Sequence, residues 1–253
     1  MPTHHILNHM NVALFIPCYV DQFYPQVGIA TLTLLEKLGI NVTFPLGQTC
    51  CGQPMANAGC EQDSEGALRN FVRNFKGYDY IVAPSGSCVL HIREHLHDAT
   101  DPIAARQIRE RTFDLVEFLE DVLQVPAYEV NFPHRVGLHL SCHGLRGLRL
   151  GQSSERIGNP FSKLQSLLGK VKGIELMELD RRDECCGFGG MFAVGEPDIS
   201  VRMGLDRIAD HERHGVEVIT AGDMSCLMHL EGLIRRHQSS LKVMHIAEIL
   251  SWS

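Results

Sequence analysis

Short apolar runs and longer amphipathic stretches follow one another along the chain. The short runs are rich in strand-forming residues, whereas the longer stretches carry apolar side chains at helical spacing. In the first half this pattern predicts strands at 11–17, 41–44 and 80–83 and helices at 27–38, 61–75 and 88–97. Gly39 directly follows the first of these helices and is typical of a helix end.

The second half repeats this order of elements. Strands are predicted at 136–140, 174–179, 216–219 and 242–245, and helices at 161–168, 199–211 and after Cys226. Between the halves, 104–125 is predicted as one long helix that joins or caps the first unit. Strands that alternate with helices favour parallel sheets. The sequence therefore predicts an α/β fold of two pseudo-repeated units with parallel sheets, divided into domains 10–130 and 131–253.

Eight of the nine cysteines follow the same repeat. Each half has a lone cysteine, then an adjacent pair followed by glycine, then another lone cysteine. The first set is Cys18, Cys50, Cys51 and Cys88, and the second is Cys142, Cys185, Cys186 and Cys226. Each of these cysteines lies at or just after the end of a predicted strand. Because the carboxyl ends of parallel strands meet at one edge of a sheet, each set is predicted to gather on one rim.

Four thiolates per set match the ligand number of a tetrahedral zinc site or of an iron–sulfur cluster. Adjacent cysteines diverge too much to bind one small ion without strain, and they suit a larger cluster in which neighbouring thiolates reach different irons. Gly52 and Gly187 allow the backbone angles and close approach that such a group needs. All eight cysteines are therefore predicted to bind a metal or cofactor. Two other interpretations stay open, a zinc-binding structural or scaffold subunit and a thiol–disulfide redox protein.

These motifs give the chain a family resemblance. The stretches Cys50-Cys51-Gly52, Ser85-Gly86-Ser87-Cys88, Cys185-Cys186-Gly187-Phe188-Gly189-Gly190 and Asp223-Met224-Ser225-Cys226 carry it. The chain resembles the cysteine-rich CCG-domain family, which includes the B subunit of heterodisulfide reductase and the iron–sulfur subunit of glycolate oxidase. The resemblance is strongest to the lactate utilization A branch, because no Cys-x-x-Cys-x-x-Cys ferredoxin segment is present.

The resemblance implies an iron–sulfur electron-transfer subunit of an oxidoreductase rather than a complete enzyme. The implied reaction is oxidation of L-lactate to pyruvate, with other iron–sulfur subunits of a lactate-utilization complex as partners. The implied cofactors are up to two iron–sulfur clusters of the [4Fe–4S] type.

The chain departs from the family pattern at two positions. The fuller pattern ends in Cys-x-x-Cys, and here Ser85 and Asp223 replace the first cysteine of that pair. Each site therefore has four thiolates where the heterodisulfide reductase pattern offers five. A [4Fe–4S] cluster, a smaller cluster and zinc at one site all stay open, and Ser85 and Asp223 are candidates for oxygen ligands or for hydrogen bonds around the site.

Four other side chains lie near Cys142 or Cys226 in the sequence. His143 directly follows Cys142 and His229 lies three residues after Cys226, so both are candidates to ligate or tune a cluster. The guanidinium groups of Arg146 and Arg149 could bind a carboxylate through two hydrogen bonds each. We interpret both residues as surface arginines. The ninth cysteine, Cys60, belongs to neither set.

Composition limits the partners and the compartment. The chain has 253 residues and a formal net charge of −7. No run of five or more basic residues is present, which argues against nucleic acid as a partner. No apolar stretch approaches the roughly 20 residues that cross a bilayer, so no membrane span is predicted and peripheral association stays open. Residues 1–9 do not have the pattern of a secretory signal and are interpreted as an extension or a start-site choice. Together with the cysteine content, this predicts a cytoplasmic protein with reduced thiols.

Overall fold

A computed structural model describes residues 10–98 and 100–252. The interpretation of residues 1–9 therefore lies outside the described part of the chain. Two compact units divide between Gln124 and Val125, six residues before the boundary predicted from the sequence.

Unit 1 contains four strands and seven helices of varying length. The strands are β1 (Val12–Leu14), β2 (Val42–Thr43), β3 (Tyr80–Ala83) and β4 (Thr112–Asp114). The helices are α1 (Cys18–Phe23), α2 (Pro25–Lys37), α3 (Gln53–Asn57), α4 (Glu65–Phe75), α5 (Gly86–His95), α6 (Pro102–Arg111) and α7 (Leu115–Glu117). A 3-10 turn at Glu61–Ser64 precedes α4, and a π turn at Phe118–Val122 continues α7.

Unit 2 has the same framework. Its strands are β5 (Arg135–Leu138), β6 (Glu175–Met177), β7 (Val218–Ala221) and β8 (Lys242–His245). Its helices are α8 (Lys163–Leu168), α9 (Met191–Gly195), α10 (Pro197–Arg213), α11 (Met224–Arg236) and α12 (Ile246–Leu250), with a π turn at His143–Gly147.

Both sheets are parallel and have the same strand order. The order is β2-β1-β3-β4 in unit 1 and β6-β5-β7-β8 in unit 2. The predicted fold class, two similar α/β units with parallel sheets, is confirmed. In such an order the crossover direction reverses between β1 and β3, and between β5 and β7. Open parallel sheets bind their ligands at the carboxyl ends of the strands at this point.

The register makes particular residues of the two units equivalent. Val12 pairs with the first residue of β3, and Val136 pairs with the first residue of β7. Three residues further on, the Phe15 N–H donates to the Val82 carbonyl at 2.9 Å. The His139 N–H donates to the equivalent carbonyl of Thr220 at 2.8 Å. Phe15 and His139 therefore occupy the same place at the end of the central strand.

The single helix predicted at 104–125 is wrong. The chain leaves α6 at Arg111 and forms the edge strand β4, which pairs with β3. β-Branched and aromatic side chains at Thr112 and Phe113 favour the strand. The carboxylate of Asp114 then accepts the Val116 N–H at 2.9 Å and starts the next helix. Apolar residues keep their helical spacing from α6 through β4 into α7, so the sequence of these three elements resembles one helix.

Candidate metal centre

The four cysteines of unit 1 come from three separate segments. Cys18 begins α1 directly after β1, Cys50 and Cys51 end the loop after β2, and Cys88 lies in the first turn of α5 after β3. The Cys18 Sγ donates to Cys50 Sγ at 3.6 Å, and the Cys51 Sγ donates to Cys88 Sγ at 3.4 Å. The rim predicted from the strand ends thus brings all four thiols together as two pairs.

Unit 2 gathers its cysteines in the same pairs. Cys185 lies close enough to raise the pKa of Cys142, and Cys226 lies close enough to raise that of Cys186. Cys186 is buried and the other three are half-buried. All nine cysteines of the chain are free thiols, since none is joined in a disulfide.

The first cysteine of each adjacent pair is the favoured thiolate. Hydrogen bonds from Cys18, then from Cys51 and the Gly52 N–H, hold the pKa of Cys50 far below its ordinary value. The hydrogen bond between Cys18 and Cys50, together with burial, raises the pKa of Cys18. In unit 2, bonds from Cys142, Cys186 and the Gly187 N–H lower the pKa of Cys185 in the same way. A thiolate is the form of cysteine that binds metals.

The two glycines are required by the turn that presents this thiolate. Gly52 has φ +94° and Gly187 has φ +88°, a region that L side chains rarely adopt. A Cβ on Gly187 would lie 2.6 Å from the Ser200 carbonyl oxygen, whereas one on Gly52 would lie 3.0 Å from the Ser64 Cβ. The positive φ and this close packing place the glycine N–H within 3.5 Å of the cysteine sulfur.

Ser85 and Asp223 lie at equivalent helix starts beside the last cysteine of each set. Ser85 is fully buried, and its Oγ accepts the Cys88 N–H at 3.5 Å and lies 2.9 Å from the Tyr19 hydroxyl. The buried Asp223 carboxylate accepts the Ser225 hydroxyl at 3.0 Å. Both side chains thus form hydrogen bonds at the start of the helix that carries Cys88 or Cys226.

The spacing of the sulfurs distinguishes between kinds of metal group. Two ligands of one tetrahedral ion lie about 3.8 Å apart when metal–sulfur bonds are about 2.3 Å. The pair distances of 3.4 and 3.6 Å in unit 1 are close to that value. Among the described residues, no three cysteines have all their sulfurs within 4.8 Å of one another. The unit 1 set therefore fits a group with at least two metal ions better than one mononuclear ion.

Sequence comparison agrees with this duplicated arrangement. The family model of the CCG cysteine-rich domain matches the chain twice, at residues 12–93 and 136–231. The chain belongs to the CCG family. It is 40% identical over 247 residues to lactate utilization protein A of Exiguobacterium, covering 95% of this chain and 97% of that protein. It is 39% identical over 246 residues to the Bacillus subtilis protein of the same name, covering 96% and 99%.

The second CCG domain contains one candidate ligand that the sequence interpretation missed. A ring nitrogen of His139 lies within 4.8 Å of the sulfurs of Cys186 and Cys226. The ring is buried, and its Nδ1 has no hydrogen-bond partner among the described residues. Burial, and then the charge of Arg207, lowers the pKa of His139 to about 3, which keeps the imidazole neutral. An alignment of the two halves on Cys18 and Cys142 reveals this candidate, because it aligns His139 with Phe15.

The histidines and arginines that the sequence suggested are exposed or already have a hydrogen-bond or ion-pair partner. His143 is exposed, and the His229 ring lies 3.3 Å from the Ser200 carbonyl oxygen. Arg146 pairs with Glu155 at 2.6 Å and with Asp183 at 3.4 Å, and Arg149 is exposed. Their interpretation as surface arginines agrees with this placement.

Two further observations concern the rest of the CCG chain. Cys60 is exposed and lies outside both sets, with its thiol 3.8 Å from the Ala58 carbonyl oxygen. Across residues 10–98 and 100–252, no helix is both long and apolar enough to cross a membrane.

Proposed function

We propose that this CCG protein is an iron–sulfur electron-transfer subunit of an oxidoreductase. The observation that carries the proposal is the convergence of four thiols in each unit, with sulfur pairs in unit 1 at 3.6 and 3.4 Å. Iron–sulfur clusters are held by cysteine thiolates, and a bound cluster supplies reversible one-electron storage. The proposed ligands are Cys18, Cys50, Cys51 and Cys88 in unit 1 and Cys142, Cys185, Cys186 and Cys226 in unit 2.

The chain's own residues prepare each site for such a group. Hydrogen bonds already favour the thiolate form of Cys50 and Cys185. The N–H groups of Gly52 and Gly187 donate to those sulfurs, and hydrogen bonds to sulfur are among the factors that set a cluster's potential. Five of the eight cysteines, including Cys50 and Cys185, are half-buried, which keeps a bound group close to the surface for electron exchange.

The relatives are named for lactate utilization, and we propose that this chain takes part in the oxidation of L-lactate to pyruvate. That reaction releases two electrons and two protons for each lactate. In the proposed role the chain accepts these electrons and passes them on. Its electron-transfer partners are other iron–sulfur subunits of the same system. We propose one cluster in each unit, of the [4Fe–4S] type that the family resemblance implies.

A second candidate function is thiol–disulfide exchange. The thiol of Cys18 lies 3.6 Å from the favoured thiolate of Cys50, which is the arrangement of a dithiol that closes to a disulfide. In that case the protein would be colourless, and oxidation would remove two thiols per unit.

Metal and sulfide analysis of protein purified without oxygen separates these functions. The proposal predicts brown protein, with iron and acid-labile sulfide in similar amounts and a broad visible absorbance that dithionite bleaches. Colourless protein with stoichiometric zinc and no sulfide would contradict it. Colourless protein without metal, whose free-thiol count falls reversibly on oxidation, would favour thiol–disulfide exchange.

The lactate assignment needs a separate experiment. The iron-loaded protein is mixed, without oxygen, with an extract of lactate-grown cells that lack this chain. Addition of L-lactate is expected to bleach the visible absorbance, whereas D-lactate or buffer is not. Bleaching by dithionite but never by L-lactate would leave the electron-transfer proposal intact and contradict the lactate assignment.

A further inference from the structure

The end of the central strand is chemically different in the two units. In unit 1 the position holds Phe15, which packs edge-on against the rings of Phe71 and Phe75 at 4.9 and 5.6 Å. In unit 2 the equivalent position holds His139. The two side chains point to the interior beneath their cysteine sets, and both are almost fully buried.

The helix that packs beneath each site differs in the same way. Ser64 lies against Gly52, and Ser200 donates to the Gly187 carbonyl at 2.8 Å, so the two serines are equivalent. Seven and eleven residues after Ser64 come Phe71 and Phe75. Seven and eleven residues after Ser200 come Arg207 and His211, both fully buried. Three aromatic rings in unit 1 are thus replaced by His139, Arg207 and His211.

Space in unit 2 is adapted to these rings. A Cβ on Gly137 would lie 2.2 Å from the His211 Nδ1, so only glycine fits at that strand position. The equivalent residue of unit 1 is Ala13, which has a Cβ. The polar interior of unit 2 therefore involves the strand as well as the helix, and His139 is not an isolated substitution.

Arg207 holds the backbone next to His139. Its Nη2 donates to the Leu138 carbonyl at 3.2 Å. Its Nη1 donates to the Arg181 carbonyl and to the Asp210 carboxylate. These bonds connect the residue before His139 to the loop that leads to Cys185 and Cys186, so the imidazole and the sulfurs are fixed relative to each other.

We propose that His139 supplies a nitrogen ligand to the metal centre of unit 2, beside Cys186 and Cys226, so that the two centres of the chain have different ligands. The proposal rests on the proposed function, because it takes the eight cysteines as ligands. Its basis is geometric. The ring nitrogen and both sulfurs lie within 4.8 Å of one another, the ring is buried, and its Nδ1 has no partner in the described part of the chain. Imidazole and thiolate together are a common ligand set for zinc and iron.

Nitrogen coordination has a direct spectroscopic signature. Protein labelled with 15N-histidine is purified without oxygen, analysed for iron and sulfide, and examined by pulsed EPR in the oxidation state that is paramagnetic. The wild type is expected to show 15N coupling of the size found for an imidazole bound to iron. His139→Phe, which places the unit 1 residue in unit 2, is expected to lose this coupling. His229→Phe, also beside the second site, is expected to keep it.

The variant His139→Cys covers the case in which His139→Phe does not fold. It keeps a metal-binding side chain, so iron content is expected to stay as in the wild type while the 15N coupling disappears. Because a thiolate adds negative charge, one of the two midpoint potentials is expected to fall and the other to stay unchanged. Iron-loaded variants at position 139 that keep the wild-type coupling would overturn the proposal. Absence of iron and sulfide from the wild type would instead contradict the proposed function.

Discussion

The two units share a sheet order, a register and a cysteine spacing, but the layer beneath their cysteines differs. In unit 1 this layer is aromatic and is formed by Phe15, Phe71 and Phe75. In unit 2 it contains two histidines and the buried Arg207–Asp210 ion pair, whose charged atoms lie 3.1 Å apart. The backbone carbonyls at equivalent positions near the end of each central strand also have different partners. Gln48 donates to the Leu14 carbonyl at 3.1 Å, whereas Arg207 donates to that of Leu138.

The difference shows which part of the repeat the cysteines require. A parallel sheet, a glycine turn and a helix start are present in both units, and these elements position the sulfurs. The buried layer beneath the cysteines can be built either from aromatic side chains or from charged and polar side chains. An aromatic pair contributes about 0.5–1.5 kcal/mol beyond its buried area. A buried ion pair contributes little net stability but leaves a large cost when one partner is removed.

The largest expected effect follows from that cost. Asp210→Ala leaves the buried guanidinium of Arg207 without its carboxylate and also removes the acceptor for the N–H groups of Asp180 and Arg181. The free energy of unfolding is expected to fall by about 3–5 kcal/mol. Equilibrium urea unfolding measures it. The double variant Asp210→Leu with Arg207→Met, which buries no charge, is expected to recover much of the loss, and a double variant as unstable as Asp210→Ala would contradict the ion-pair explanation.

The two glycine turns offer a closer comparison. Gly187→Ala forces a Cβ into a left-handed conformation and against a backbone carbonyl, whereas the Cβ of Gly52→Ala meets only side-chain atoms, those of Ser64 and His91. Left-handed backbone costs an L residue roughly 1–2 kcal/mol, and overpacking adds about 1–3 kcal/mol. Gly187→Ala is expected to lose about 2–4 kcal/mol and Gly52→Ala about 1–2 kcal/mol in urea unfolding. Equal losses would show that the clash with the carbonyl is relieved by local movement.

The smallest expected effect is a pH dependence confined to unit 2. Burial, and then the charge of Arg207, lowers the pKa of His211 to about 2, below the ordinary 6.5. The unfolded chain therefore binds a proton below pH 6.5 that the folded chain does not, and stability is lost as pH falls. Between pH 6.5 and 5.5 this residue is expected to remove about 1 kcal/mol.

The control for this effect is His211→Phe, which introduces the residue that unit 1 has as Phe75. Its unfolding free energy is expected to fall less than that of the wild type over the same pH interval, by about 1 kcal/mol. Identical pH profiles for the two proteins would show that His211 is protonated in the folded state or is not buried in solution.

Periodicity and spacing were sufficient for the scaffold and for the grouping of the cysteines. Strand ends of a parallel sheet share a rim, so Cys18, Cys51 and Cys88 could be placed together although 70 residues separate the first from the last. The strand at Thr112–Asp114 could not be separated from its flanking helices, because its three residues continue their apolar spacing and the decisive contacts come from β3.

The polar layer of unit 2 was missed for a different reason. His139 and Arg207 are 68 residues apart, and His139 lies in a run that has the pattern of an ordinary buried strand. The register of β5 with β7 shows that His139 replaces Phe15. The signal in the sequence lies outside the cysteine motifs, three residues upstream of Cys18 and Cys142, where the two halves differ.

The iron content of single-cysteine variants tests most directly whether each unit holds its own iron–sulfur centre. Protein purified without oxygen is analysed for iron and acid-labile sulfide per chain in the wild type and in Cys50→Ala, Cys185→Ala and Cys60→Ala. Cys50→Ala and Cys185→Ala are each expected to lose about half of both, their double variant all, and Cys60→Ala none. Full iron and sulfide in Cys50→Ala or Cys185→Ala would contradict the account.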